Sequence, residues 1–205
     1  MTDGFIGNTT TCPDLTAAVL GVRGFARTGH FLASPFQREV WRRPTARAVC
    51  EPDRKATASA LIATGAKPRT ANTAAQRIVQ RQQARADHDA PGDTCPCGLY
   101  AYHSIDDLVR HLGVHPVIAA VHAWGQVVVH PRGFRAERMR IVALALPDDI
   151  GDGIAGTRLA EAARRAAAWW QLPLLGLDEL TASLREFGDP VPDALIPDDK
   201  QEEKK

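Results

Sequence analysis

Long apolar runs are missing from this chain of 205 residues: no stretch approaches the eighteen or so continuous hydrophobic residues of a membrane-crossing helix. The opening Met-Thr-Asp-Gly-Phe-Ile-Gly-Asn also lacks the charged and apolar regions of a secretory signal, so a cytoplasmic protein without a membrane partner is expected. Net charge is nearly absent, at +1, which favours neither a polyanion nor a lipid surface for the chain as a whole. Cysteine is scarce, with four residues. In a reducing compartment these are metal ligands or small buried hydrophobes rather than disulfides. There is no Walker lysine loop, no Gly-x-Ser-x-Gly elbow and no internal repeat, so no nucleotide cofactor is expected. Glycines 151, 153 and 156 precede a helix, but Asp152 would repel a phosphate there.

What charge there is lies unevenly. Residues 21–85 hold thirteen Lys and Arg against three acids, whereas residues 147–205 hold thirteen acids against seven bases. Residues 52–86 are Ala, Thr, Arg and Gln with almost no large apolar side chains, which cannot form a core. The length accommodates one substantial core. The expected organisation is a single α+β domain over 1–198, with a basic, low-complexity insertion at about 52–86 and a charged tail at 199–205.

After an irregular opening, strands are predicted over Ala18–Ala26 and Phe31–Ser34, joined by a turn at Arg27-Thr-Gly-His, with Trp41 packed on this hairpin. Ser104 is placed to cap a helix over Ile105–Leu112, with acids in its first turn. Val- and Ala-rich strands follow at Pro116–Trp124, Gln126–His130 and Glu137–Leu146, the last two joined through His130-Pro-Arg-Gly. In the third, Met139, Ile141, Ala143 and Ala145 share one face. Helices are predicted over Arg158–Trp170, capped by Thr157, and over Leu177–Phe187, ending at Gly188. Prolines 190, 192 and 197 and the charged ending suggest a fraying terminus. Thr73–Ala86 has the composition of a basic surface helix. The expected fold is a small, bent, barrel-like antiparallel sheet closed by a zinc knuckle, with two C-terminal helices packed on it.

The knuckle rests on Cys95-Pro-Cys97-Gly98, which offers two thiolates from one tight turn. Cys50 and His88 complete a tetrahedral set with the insertion looped out between them, at a closure cost that grows only logarithmically with length. A rival set takes His111 and His115 with the two cysteines, as in a Cys-Cys-His-His finger, although Gly113 and Pro116 would break the helix that orients those histidines. Cys12 could substitute for one ligand, but it sits in an unstructured-looking N-terminus and is read as a bystander. Thiols that merely pack in the core are the alternative to either set.

The motifs His88-Asp-Ala-Pro91, Cys95-Pro-Cys-Gly-Leu-Tyr-Ala101, Ala123-Trp-Gly125 and Gly133-Phe-Arg-Ala-Glu137, with Ala48-Val-Cys50 upstream, are spread over about half the chain. They resemble a recurring pattern of largely uncharacterised actinobacterial and actinophage proteins. That resemblance implies the set Cys50, His88, Cys95 and Cys97, and the long stretch between Cys50 and His88 departs from the pattern.

Two further groups are candidate binding residues. Trp124 or Phe134 could stack on a base or side chain while Arg135 contacts an anion; the plainer reading is a sheet corner in which Arg135 pairs with Glu137 on one face. Arg77, Arg81 and Arg85 could track phosphates, or simply solvate a linker. His103, His122 and His130 are read as satisfied polar residues. Function is therefore expected to be that of a non-enzymatic module stabilised by structural zinc, contacting nucleic acid or a host protein and carried by a phage or mobile element. The alternatives are a metal-dependent enzyme, or an accessory factor that binds protein through the Trp169-Trp170 helix face.

Overall fold

The computed structural model describes residues 9–35, 40–50, 89–92, 95, 97–112, 117–147, 150 and 153–198, with isolated positions between 62 and 74. The expected helix at Thr73–Ala86 and the charged tail fall outside this set, apart from Ala74. In chain order the elements are β1 (Thr10–Thr28), β2 (Phe31–Ala33), β3 (Val40–Trp41), β4 (Thr45–Arg47), β5 (Leu99–Tyr102), α1 (Ile105–Leu112), β6 (Val117–His130), β7 (Gly133–Leu146), α2 (Ile154–Trp170), β8 (Leu174–Gly176) and α3 (Leu177–Ser183). A 3-10 turn over Leu184–Phe187 extends α3.

This is a mixed α+β arrangement around a mostly antiparallel sheet. β1 pairs with β6, β6 with β7, β7 with β5, and β5 returns to β1 through Val22 and Tyr102, so the pairings form a closed circuit. β8 joins β7 in parallel after the α2 crossover, a pairing its three residues did not announce. Alternation along β6 sorts the core. Val117, Ala119, Val121 and Ala123 face one cluster with Phe25, Phe134, Met139 and the small face of α2, while Ile118 and Ala120 face a second with Tyr102, Leu108 and Leu180. Helix α2 can lie close to the sheet because it presents Ala162, Ala163, Ala166 and Ala167.

Local signals were reliable where a turn or cap fixed them. Gly29-His30 and Pro131-Arg132 are two-residue hairpin loops, set by the pairs Thr28 with Phe31 and His130 with Gly133. Trp41 pairs across from Leu32 and meets the Phe25 ring edge-on at 5.3 Å. The Ser104 hydroxyl accepts from the Asp107 N–H at 3.1 Å and donates to its carboxylate at 2.7 Å, capping α1 over its predicted span.

Other expectations are corrected. From Thr10 onward the chain is not irregular: β1 begins there, and two register shifts around residues 12–19 let the strand bend past Pro13, which has no N–H to give a ladder. The two runs at 116–130 are one strand, with an extra residue between Trp124 and Val127 taking up the bend. A second shift opposite Ala120 and Val121 breaks the alternation of β7 at Val142, so Met139 and Ile141 join Leu144 in the first cluster and Ala143 and Ala145 fall in the second. Helix α2 starts a turn early. Gly153 occupies its cap position, and the Thr157 hydroxyl donates to the Gly153 carbonyl at 3.2 Å. The described segment 189–198 is not frayed: Leu20 donates to the Asp189 carbonyl, and Val191 is buried in the first cluster.

Gly21 in β1 lies directly against Phe134 and Ala101. A Cβ there would lie 2.6 Å from Phe134 Cζ and 3.1 Å from the Ala101 methyl. Gly21→Ala is expected to destabilise the fold by about 1–3 kcal/mol, because both obstacles are fully buried and have nowhere to move. An unchanged urea midpoint would contradict this packing.

Candidate metal centre

β7 has two edges. β6 occupies one along its whole length, while β5, β4 and β8 lie end to end along the other, against residues 133–136, 138–140 and 144–146. β4 and β5 run in the same direction, so the end of β4 abuts the start of β5 at Ala136–Glu137. Chain leaving β4 is held there by the Ala48 N–H, which donates to the Glu137 carbonyl at 2.6 Å, and Cys50 follows two residues later. Chain entering β5 comes through Cys95, Cys97 and Gly98. Neither short strand has a marked sequence pattern; each is fixed by the edge of β7.

The junction brings three thiols together. The sulfurs of Cys50, Cys95 and Cys97 all lie within 4.8 Å of one another, and Cys50 Sγ is 3.6 Å from Cys95 Sγ. Thiolates about 2.3 Å from a zinc ion sit about 3.8 Å apart at tetrahedral corners, so this spacing fits one ion between them. The Gly92 N–H donates to Cys97 Sγ at 3.1 Å, the kind of outer contact that orients a ligating thiolate. Gly98 has φ of +127°, and a Cβ there would meet Arg135 Cβ and Pro91 Cβ at 3.0 Å, so the turn after Cys97 requires glycine.

Without a cation the site disfavours the thiolate forms of Cys50 and Cys97. Burial, then the neighbouring thiols Cys95 and Cys97, push the Cys50 thiol up to about 12. Burial also raises Cys97, although the Gly92 N–H works the other way. A divalent ion inverts this balance by displacing the protons.

Arg135 braces the loop from beneath. It is 4% exposed, its Nη1 donates to the carbonyls of Gly92 (3.3 Å), Cys97 (2.9 Å) and Cys95, and its Nε donates to His130 Nε2 at 3.1 Å. Accepting that bond requires neutral His130. Burial, the Arg135 charge and His103 hold its pKa down at about 4. Because the folded value lies below the ordinary 6.5, the unfolded chain binds the extra proton between those values. The contribution is complete above about pH 6.5, and about 2–3 kcal/mol is expected to be lost as pH falls to about 4. NMR titration of His130 checks this: a midpoint near 6.5 would contradict a neutral acceptor in the folded protein.

The expected corner pairing of Arg135 with Glu137 does not form. Glu137 instead bonds Arg47 at 3.1 Å and Arg138 at 3.2 Å. Nor is Phe134 available for stacking on a ligand, being fully buried between Gly21 and the His103 ring, and the described donors of Arg135 are used inside the protein. Trp124 remains half-buried at the sheet surface. His88 and His115 lie outside the described residues, as do Arg77, Arg81 and Arg85. His111 is not part of the thiol cluster; its ring lies 5.7 Å from that of Tyr102. Cys12 is on β1 opposite Val127, also outside it. A second internal cation was missed: Arg23 donates to the Tyr100 carbonyl at 2.6 Å and lies within 5.6 Å of the Phe25 and Trp41 ring centres. Both buried arginines interrupt apolar strand runs, the one signal that could have found them.

Trp169 is 73% exposed on α2 while Trp170 packs on the core, and no helix among the described residues is long and apolar enough to cross a membrane. Three close cysteines that could hold a metal ion are therefore the chemical feature of the site, and no protein-family model, curated protein or solved structure matches the chain.

Proposed function

We propose that the protein is a zinc-stapled, non-enzymatic binding module that contacts nucleic acid or a host protein. The carrying observation is the meeting of Cys50, Cys95 and Cys97 where β4 and β5 abut. An ion there joins residues 45 positions apart along the chain and closes the long excursion between the two strands. His88 is the proposed fourth ligand: two residues after it, Ala90 is buried with Cys97, and Gly92 bonds the Cys97 sulfur. Three thiolates and one imidazole form a closed, electron-rich shell that binds water poorly, which supports a structural role over a catalytic one. The ion's contribution when bound is cross-linking and charge; the chain's own residues orient the sulfurs and exclude water.

The same reading takes the closed circuit of strands as the barrel-like body expected from the sequence, and places the protein in a reducing compartment such as the cytoplasm, where its thiols stay available. Kinship with the actinobacterial and actinophage pattern, and carriage by a phage or mobile element, belong to this proposal. Gel shifts with DNA and RNA test the nucleic-acid half. Affinity should fall steeply as salt rises, and absence of binding at low salt would leave the host-protein half.

A further inference from the structure

The outer face of the sheet is covered over only part of its length. α1 and α3 pack on Ile118, Ala120, Ala143 and Ala145, and the cover ends where the Phe187 carbonyl meets His122 Nε2 at 2.5 Å. Two cross-strand rows follow on the same face, Thr45 with Arg140 and His122, then Arg47 with Arg138 and Trp124, since directly paired residues project to the same side. Arg47, Arg138 and Arg140 are exposed. Trp124 belongs to neither core cluster, so its indole is not there to fill the interior.

We propose that these two rows bind single-stranded nucleic acid, with an unpaired base stacked on Trp124 and backbone phosphates on Arg138, Arg140 and Arg47. The inference rests on the binding-module reading and gives it a surface. Charge complementarity points to a polyanion: Glu137 offsets one of the three arginine charges through its bonds to Arg47 and Arg138, and the face stays positive. Arg138 and Arg140 are two residues apart on one strand, about 7 Å, and so can engage successive groups of an extended backbone. The aromatic selects unpaired strands, because a duplex keeps the faces of its bases stacked and offers only phosphates. Asp14 lies in the bulged stretch of β1 opposite Gln126.

Fluorescence anisotropy of labelled single-stranded DNA, single-stranded RNA and duplex DNA, with the full metal-loaded chain at several salt concentrations, tests the assignment. Single strands should bind more tightly than duplex, and the two single-strand arms identify which sugar is accepted. Trp124→Ala should weaken binding about tenfold and Trp124→Phe should restore most of it. Arg140→Ala should weaken binding and lower the salt slope by about one, while Trp169→Ala on the far helix should change neither. Arg138→Ala repeats the test should one variant unfold, as thermal melting would reveal. Wild-type binding left intact by Trp124→Ala and Arg140→Ala overturns this face while sparing the module reading, and preference for duplex overturns the stacking role. No binding of any strand at low salt overturns the proposal together with the nucleic-acid half of the module reading, leaving an acidic protein partner.

Discussion

Replacing Cys97 with serine is expected to weaken metal binding by more than about a hundredfold and to cost the fold about 3 kcal/mol, seen as a melting temperature lower by roughly 6–12 °C. Cys97 should be the most sensitive of the three thiols. It is 5% exposed, takes the Gly92 N–H, and sits between the loop and the first residue of β5, so a weaker ligand there releases both. Loss of the ion also leaves Cys50 and Cys95 facing each other at 3.6 Å with no cross-link across the 45-residue excursion. The wild type treated with chelator should melt like the variant. Cys12→Ser, on the opposite partner of Val127, should shift melting by less than about 1 kcal/mol's worth and leave the metal in place. Equal melting of Cys97→Ser and wild type would remove the staple from the account.

The second large effect is expected at Arg135. Arg135→Met keeps much of the side-chain length but strips the donors from three loop carbonyls and from His130. Hydrogen bonds from a charged donor contribute about 1.5–3 kcal/mol each, and their acceptors would remain buried, so a loss of about 3–5 kcal/mol is expected. Metal affinity should fall about 10- to 100-fold even though no ligand has changed, because the carbonyls of Cys95 and Cys97 are what the guanidinium positions. Arg135→Lys should rescue little. An ammonium is a single point of charge and cannot span His130 and the loop as the planar fork does. Urea unfolding and competition with a chromophoric chelator measure the two effects; unchanged metal affinity in Arg135→Met would make the brace irrelevant to the site.

These two residues also mark how far the sequence could be read. Cys95 and Cys97 announced themselves by spacing, whereas Cys50 was one of two rival completions, with His111 and His115 the other, and was favoured by the resemblance. Arg135 was not legible. Its strand neighbours Phe134 and Ala136 are buried, but nothing local says that a loop folds over that edge, and an Arg135–Glu137 pair was the simpler expectation. The same limit applies to the strands that build the site. Thr45–Arg47, Leu99–Tyr102 and Leu174–Gly176 are three or four residues long, and their conformation is imposed by the open edge of β7. Elements with their own signals were readable: α1 by its Ser104 cap, the hairpin by Pro131-Arg132, and β6 by its valines and alanines. The bulges that redirect β1, β6 and β7 were invisible, because a one-residue register shift is decided by which face of the partner is buried.

The central claim is that one divalent ion links Cys50 and the Cys95–Cys97 turn. Cobalt substitution tests it most directly, since thiolate ligands give an intense sulfur-to-cobalt charge-transfer band and tetrahedral coordination gives strong visible absorption. The account predicts one cobalt per chain with both features, displacement by equimolar zinc, and a charge-transfer band that weakens in Cys50→Ser. Purified protein that takes up no cobalt, carries no zinc and melts identically with and without chelator would contradict it.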